Sequence, residues 1–399
     1  IHQHGLCRTV IVRLILLAAA AVLALSACSG DQAQTEGLLA VLDNDNVVVM
    51  DSRGNNRVAI TDADATGPDR GFFFQPIWSP DGQRLTFSRI GPGNGLHVAT
   101  ADGSGSWSVE TDTFPFYYSW STDGDLAVLR NAAAGGFRLD LAIIEENTLA
   151  IESLDEGAPL YFSWAPDESL MVTHIGANRL ETHDLVSSQP LGPAPGLFQT
   201  PAWTDRGIFA LEAGTRDQTL TRIDPDGTGE PLSRVLGPSN FVATEDGSRL
   251  AIQTNLGDTD GLSASYRQLQ NVSPNRVVVI DTATGEMSRV TEGPALAFFW
   301  SHQGDQLLVL DIGPDGAARW SIWSDGELVP EVSFDLEPGF VRSFVPFFDQ
   351  YAQSMSLWSP DGSAFAFPGI INGESGIWVK SAGEDPVRVS AGTWVAWSS

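Results

Sequence analysis

The stretch Trp78-Ser79-Pro80-Asp81-Gly82 occurs twice in this sequence and returns in weaker form several more times. Its second full copy is Trp358-Ser359-Pro360-Asp361-Gly362. Partial copies begin at residues 120, 164, 203, 243 and 300, and residues 397–398 repeat only its first two letters. Successive copies are 39 to 58 residues apart. A period of this length is typical of a protein built from structural repeats.

The local chemistry of this unit is that of a tight turn. Proline fixes φ at the second turn position, aspartate suits the third, and glycine accepts the conformation of the last. Apolar, β-rich runs precede and follow the turn, so each copy predicts a connection between two antiparallel strands. Four such strands per repeat, arranged radially, make a β-propeller.

These repeats resemble the TolB-type, WD40-like β-propeller family, whose blades carry the same Trp-Ser-Pro-Asp-Gly turn. The resemblance covers nearly all of the chain after residue 37. It implies an all-β propeller of four-stranded blades. It implies no single function, because the family includes binding modules and non-catalytic domains of enzymes.

The repeat anchors predict eight blades, with seven as the alternative if the unit around Ala243 is irregular. Three β runs precede the first full turn without an inner strand of their own, at Leu38–Leu42, Val47–Asp51 and Arg57–Thr61. We expect Thr393–Ser398 to supply that strand, which closes the ring by pairing the two termini and removes a free sheet edge. The repeated tryptophans are predicted to be core residues between neighbouring blades.

The first 27 residues have the features of a secretory signal. Arg8 and Arg13 precede an apolar run from Leu14 to Leu25, which is too short to span a bilayer. Leu25-Ser26-Ala27-Cys28 resembles a bacterial lipobox, which implies lipidation of Cys28. A plain signal peptide with a chance cysteine is the alternative. Residues 28–37 then form a tether, and residues 38–399 a single propeller domain.

The charge and cysteine content limit the possible partners. The formal net charge is −28, and Lys380 is the only lysine. Such a chain is not expected to bind nucleic acid or anionic lipid directly, so contact with the membrane would run only through the lipid. Cys7 and Cys28 are the only cysteines. If Cys7 leaves with the signal, no disulfide is possible within the mature chain, and we expect a monomeric domain.

Two long insertions are predicted on the face opposite the Trp turns. Residues 255–275 fall in the second connection of the sixth blade, and residues 335–352 link the seventh blade to the eighth. Aromatic residues mixed with arginine are typical of recognition surfaces. The candidate partner-binding residues on this face are Arg70, Phe72, Phe73, Tyr266, Arg267, Arg342, Phe344, Phe347, Phe348, Asp349, Gln350 and Tyr351. The alternative is that the phenylalanines fill the mouth of the ring.

A second set of candidates lies three positions before each anchor, at the channel mouth. These are Gln75, Tyr117, Tyr161, Thr200 and Asn240. They contain no paired carboxylates of the kind that a glycosidase needs. They suit instead a small-molecule or glycan site, which is the alternative function.

The sequence gives no pattern for a catalytic centre or a cofactor. His97, His174, His183 and His302 fall in different blades or out of register, and no Gly-x-Ser-x-Gly elbow occurs. Asp258 and Asp260 match only part of a calcium loop, so they are a weak calcium candidate.

The function that the sequence favours is non-catalytic binding of a protein or peptide at the cell envelope. The domain would be extracytoplasmic and held to the membrane by lipid. A propeller lyase or hydrolase is the third hypothesis.

Overall fold

The structure is a computed structural model, which describes residues 37–62, 71–146, 148–166, 170–191, 200–213, 217–235, 237–254 and 275–399. Within these ranges the chain forms eight antiparallel blades of a β-propeller. The predicted fold class and blade number are therefore confirmed. The unit around Ala243 forms a regular four-stranded blade, so the seven-bladed alternative is wrong.

Blades 2 to 7 are four-stranded meanders whose strands follow in chain order, from the channel outward. Blade 2 contains β4 (Phe72–Trp78), β5 (Arg84–Ile90), β6 (Gly95–Thr100) and β7 (Ser106–Glu110). Blade 3 contains β8 (Pro115–Trp120), β9 (Leu126–Asn131), β10 (Phe137–Glu145) and β11 (Thr148–Gly157). Blade 4 contains β12 (Leu160–Trp164), β13 (Met171–Ile175), β14 (Arg179–His183) and β15 (Ser188–Pro190).

The next three blades repeat this arrangement. Blade 5 contains β16 (Ala202–Thr204), β17 (Gly207–Ala213), β18 (Gln218–Ile223) and β19 (Gly229–Val235). Blade 6 contains β20 (Ser239–Ala243), β21 (Arg249–Thr254), β22 (Val277–Asp281) and β23 (Met287–Arg289). Blade 7 contains β24 (Ala295–Trp300), β25 (Leu307–Ile312), β26 (Ala318–Ser324) and β27 (Glu327–Phe334).

Blade 1 is built from both ends of the described chain. Its strands are β1 (Leu38–Asp43), β2 (Asn46–Asp51), β3 (Val58–Ala59) and, on the inner side, β31 (Trp394–Trp397). Leu39 pairs with Trp397 and Val41 with Val395 in antiparallel register. The predicted closure of the ring by its termini is thus confirmed.

Blade 8 is less regular than the others. It contains β28 (Ala364–Ile371), β29 (Glu374–Ser381) and β30 (Val387–Ser390). The segment from Ser356 to Trp358 takes the inner position through isolated bridges, Trp358 to Phe365 and Ser356 to Trp397. The inner segment of blade 8 therefore also contacts the closing strand of blade 1.

The Ser-Pro-Asp-Gly turn is held by its own side chains. Ser79 Oγ donates to Asp81 Oδ1 (2.6 Å). Asp81 Oδ1 also accepts from the backbone N–H of Gln83 (3.0 Å). Gly82 has φ of +64° and donates its N–H to the carbonyl of Ser79, a conformation that glycine adopts without strain. These contacts explain why the turn recurs with its serine, aspartate and glycine.

In four of the eight blades the repeated tryptophan joins its blade to the one before it. Its indole Nε1 donates to a main-chain carbonyl of the previous blade. The residue that accepts comes directly before the position that corresponds to the tryptophan in that blade. The four bonds are Trp78 to Ala396 (3.0 Å), Trp164 to Ser119 (3.1 Å), Trp300 to Val242 (3.0 Å) and Trp358 to Phe299 (3.2 Å). Three of these tryptophans are buried and Trp300 is half-buried. The predicted core role of the tryptophans is confirmed for these blades.

The meander defines two faces of the ring. Each inner strand ends at its tryptophan and leads into the first turn, so those turns lie at one end of the channel, which we term the turn face. The second connection of each blade, and each link to the next blade, lies at the other end. The link from β27 to Ser356 arrives there, and we term this end the plug face.

Changing Trp358 to Phe tests the contact between blades. The variant keeps an aromatic ring but removes the donor to the carbonyl of Phe299, and the smaller ring leaves a gap. We expect the free energy of unfolding to fall by about 2 kcal/mol, measured by urea denaturation. Trp107→Phe is the matched control, because Trp107 is only half-buried and donates to Glu146 at the surface. The control should cost less than about 0.5 kcal/mol, and equal losses in both variants would contradict the proposed role.

Candidate functional site: a channel filled from one face

A helical segment of the link between blades 7 and 8 enters the channel. It contains α1 (Pro338–Ser343), a 3-10 turn (Val345–Phe347) and α2 (Phe348–Tyr351). Glu337 begins α1 by accepting a hydrogen bond from the N–H of Phe340 (2.8 Å), with Pro338 at the first helical position. We term residues 338–355 the plug.

Polar side chains of the plug bond to inner strands of the ring. Gln350 Nε2 donates to Tyr117 Oη (2.9 Å) and to the carbonyl of Phe162 (3.1 Å), while Tyr117 Oη donates to the carbonyl of Gln350 (3.0 Å). One residue on, Tyr351 Oη accepts from Gln75 Nε2 (2.6 Å). Buried polar groups are costly unless they are paired, so these bonds fix the plug in one position.

Two further bonds extend this network to blades 5 and 6. Gln353 Nε2 donates to the carbonyl of Pro201 (2.9 Å). Asn240 Nδ2 donates to Asp349 Oδ2 (2.9 Å). The plug therefore has hydrogen bonds to blades 2 through 6.

The apolar side of the plug packs against the remaining part of the ring. Phe344 stacks on Phe299 of blade 7, with ring centroids 5.7 Å apart, and lies edge-on to Trp394 of blade 1. Phe348 contacts Phe298 at 4.7 Å between ring centroids. Aromatic pairs at such distances stabilise a core beyond the area that they bury.

Three of the five channel-mouth candidates form hydrogen bonds with the plug. Gln75, Tyr117 and Asn240 hold the plug, Thr200 is buried, and Tyr161 remains half-buried. The chain's own side chains therefore occupy this end of the channel, where the alternative hypothesis places a small ligand or glycan.

The candidate partner-binding residues divide into two groups. Phe72, Arg342 and Phe347 are exposed, and Asp349 is partly buried. The expectation of an exposed surface is wrong for five residues that are buried in the core, Phe73, Phe344, Phe348, Gln350 and Tyr351. The side chains of these residues and their hydrogen-bond partners lie inside the ring. This agrees with the alternative interpretation, in which the phenylalanines fill the mouth of the ring. Arg70, Tyr266 and Arg267 lie outside the described residues, as do Cys28, Asp258 and Asp260.

The plug carries a carboxylate into a region of low polarity. Burial raises the pKa of Asp349 above its ordinary value, although bonds from Asn240 and from the N–H of Gln350 favour the charged form. Burial likewise raises the pKa of Tyr117 to about 12. The pKa of Tyr161 is raised by burial and then by the charge of Asp349.

The turn face opens into a cavity that sequence reasoning did not identify. It has two lobes, of about 270 and 430 Å³. Residues of all eight inner strands or their turns contribute to its wall, and the plug residues Ala352 and Gln353 line both lobes. The sequence feature that could have predicted this cavity is the repeated Trp turn, because all copies of the turn lie on one face around the end of the channel.

Within the described residues the structure shows neither a metal-binding cluster nor a helix that could span a membrane. No group of three or more histidine, cysteine, aspartate or glutamate side chains there could hold a metal ion. None of the helices there combines the length and apolarity that crossing a bilayer requires.

Comparison with solved structures shows similarity at the level of fold. A structure described as the eukaryotic initiation factor is 11% identical with a TM-score of 0.53, over 91% of this chain and 98% of that one. The C-terminal WD40 domain of Sif2 is 10% identical with a TM-score of 0.50, over 88% and 91% of the two chains. TolB from Acinetobacter baumannii is 13% identical with a TM-score of 0.41, over 83% and 67%.

These identities establish the propeller fold and nothing finer. No protein-family model matches the chain, and a search of curated proteins found no match.

Changing Asp349 to Asn tests the electrostatics of the plug by pH. A carboxyl group whose native pKa is raised stabilises the fold below its unfolded-state pKa, and this contribution is lost as pH rises through the native pKa. The unfolding free energy of Asp349→Asn, relative to the parent protein, should therefore increase as pH rises from about 4, the ordinary carboxyl value. Urea denaturation at a series of pH values measures it.

Asp361→Asn is the control of opposite sign. Partial burial raises the pKa of Asp361, but hydrogen bonds from Ser359 and Ser363 outweigh it and lower the pKa overall. That variant should become less stable, relative to the parent protein, as pH rises through the acid range. A common direction in the two variants would contradict the assignment.

Proposed function

We propose that this protein is a non-catalytic binding propeller that takes a protein or peptide partner on its plug face. The observation that carries the proposal is a set of exposed large apolar side chains on that face. They are Phe72 (41% exposed), Ile312 (48%), Val341 (37%) and Phe347 (51%). Phe72 begins an inner strand and Ile312 ends a second strand, so the meander places both at the same end as the plug.

The plug gives this surface a rigid base. Phe347 lies between buried Phe344 and buried Phe348, so its exposed ring sits on a segment that is fixed from below. Arg342 is exposed on the same segment, and its Nε donates to the carbonyl of Pro338 (3.1 Å). A fixed aromatic side chain loses little freedom on binding, which favours its use as a contact residue.

The proposed lipid on Cys28 agrees with this choice of face. Gly37 lies against Trp397 and against Pro360, which is in the turn of blade 8, so the chain joins the propeller at the turn face. The roughly nine residues from Cys28 to Glu36 reach at most about 30 Å. An extracytoplasmic domain anchored in this way would hold the turn face nearer the membrane and leave the plug face free for an envelope partner.

The alternative hypotheses have less support from the geometry. A glycan or small ligand at Gln75, Tyr117 and Asn240 would have to displace the plug from its hydrogen bonds. A lyase or hydrolase would need a cluster of reactive groups, and the calcium hypothesis rests on Asp258 and Asp260, outside the described residues. Binding of a protein or peptide partner, in contrast, needs only the exposed apolar side chains on the plug face.

The experiment is crosslinking capture from envelope extracts, with residues 29–399 as bait. Phe72→Ser and Phe347→Ser together should weaken retention of a captured partner by about thirtyfold, as loss of an aromatic anchor does. Val186→Ser is the matched control, since Val186 is 91% exposed in a turn-face connection of blade 4. A partner held equally by all three baits would overturn the assignment of the face, and capture of none would overturn the proposed function.

A further inference from the structure

The pair Asn372-Gly373 forms the tip of the hairpin between β28 and β29 in blade 8. The strand pairing ends at Ile371 and Glu374, so the two residues alone make the turn. Both have a positive φ, of +54° and +82°, as in the two-residue turns that favour Asn-Gly. The tip lies on the plug face, because it is the second connection of its blade.

An asparagine followed by glycine reacts without an enzyme. The main-chain nitrogen of the glycine attacks Cγ of the asparagine, and the new C–N bond closes a five-membered succinimide ring. The side-chain amide leaves as ammonia, which carries away the proton that the glycine nitrogen gives up. Water then opens the ring. Attack on the former side-chain carbonyl gives aspartate, and attack on the main-chain carbonyl gives isoaspartate.

The tip of this hairpin meets the requirements of the reaction. Neither the side chain of Asn372 nor the N–H of Gly373 forms a hydrogen bond to another described residue. Both residues are exposed, and no atom lies within 4 Å of the position that a Cβ on Gly373 would take. Rotation at the tip disturbs only the last pair of the ladder, and such ends open at low cost.

The other Asn-Gly pair of the chain is held in place by its surroundings. Asn94 Nδ2 donates to the carbonyl of Thr111 (3.1 Å), and the carbonyl of Asn94 accepts from the N–H of Thr111 (3.0 Å). Gly95 is a buried residue of β6 and is paired with strands on both sides. A Cβ on Gly95 would lie 2.0 Å from the carbonyl oxygen of Val109. Ring closure here would have to break these contacts.

We propose that Asn372 is a modification site, which converts spontaneously to aspartate and isoaspartate while Asn94 stays intact. Conversion adds a negative charge beside exposed Glu374, and isoaspartate also lengthens the main chain by one methylene group.

The site lies close to the start of the plug link. Ile370 exchanges two hydrogen bonds of 2.9 Å with Asp335, where the chain leaves β27 for the plug. A longer main chain two residues beyond Ile370 therefore weakens the hairpin end that holds this link. The chemistry at Asn372 does not depend on the partner proposed above.

The test is peptide mapping of residues 29–399 after incubation at mildly alkaline pH, with pepsin digestion in acid to stop the reaction. The peptide containing Asn372 should gain the mass of an acid in place of an amide at least about tenfold faster than the peptide containing Asn94, because only the tip opens locally. Fragmentation should show isoaspartate beside aspartate at residue 372. In urea, where both sites are unfolded, the two should convert at similar rates.

Three results would overturn the proposal. The first is conversion of the two sites at equal rates in the folded protein. The second is no conversion of Asn372 in the folded protein over a period in which the urea-treated protein converts. The third is aspartate without isoaspartate, since direct hydrolysis and not ring closure would then be the route.

Hydrogen exchange measures the effect on the hairpin. Peptides covering residues 366–376 should exchange faster in the aged protein than in the fresh protein. Asn372→Asp is the matched control, because it carries the added charge without the longer main chain, and it should show a smaller change. Identical exchange in the fresh and aged proteins would contradict the weakening of the plug link.

Discussion

The hydrogen bond from a tryptophan indole to the carbonyl one blade back is the contact on which this architecture depends. The turn begins directly after that tryptophan, so one five-residue unit ends the inner strand and also joins its blade to the previous one. The bond from Trp78 to Ala396 is the informative copy, because Ala396 belongs to the strand that closes the ring. The interaction that joins three other pairs of blades thus also holds the junction of the ring.

Closing the ring with eight blades leaves a central channel that the inner strands alone do not fill. Residues 338–355 fill it from one face, with apolar packing toward blades 1 and 7 and hydrogen bonds toward blades 2 to 6. Since this segment belongs to the chain itself, it makes the two ends of the channel into different surfaces. One presents exposed apolar side chains on a rigid base, and the other is a cavity lined by tryptophans.

Local rules were sufficient to predict the fold from the sequence, because Trp-Ser-Pro-Asp-Gly specifies a turn and a contact between blades wherever it occurs. They also located the link at 335–352 and the closing strand near Val395. They could not tell that Phe344 and Tyr351 are buried while Phe347 is exposed, since aromatic residues in a long link suit a core and a recognition surface equally. That distinction depends on partners far away in the chain, such as Gln75 and Tyr117, which no local pattern identifies.

The central claim is that the chain itself closes one end of its channel, and hydrogen exchange tests it most directly. Peptides covering residues 340–355 should exchange as slowly as the inner strands and much more slowly than the exposed turn at 184–187. In Gln350→Leu, which removes the bonds that the side chain donates to Tyr117 and to the carbonyl of Phe162, those peptides should exchange faster while the inner strands remain protected. Exchange of residues 340–355 at the rate of the exposed turn in the parent protein would contradict the account.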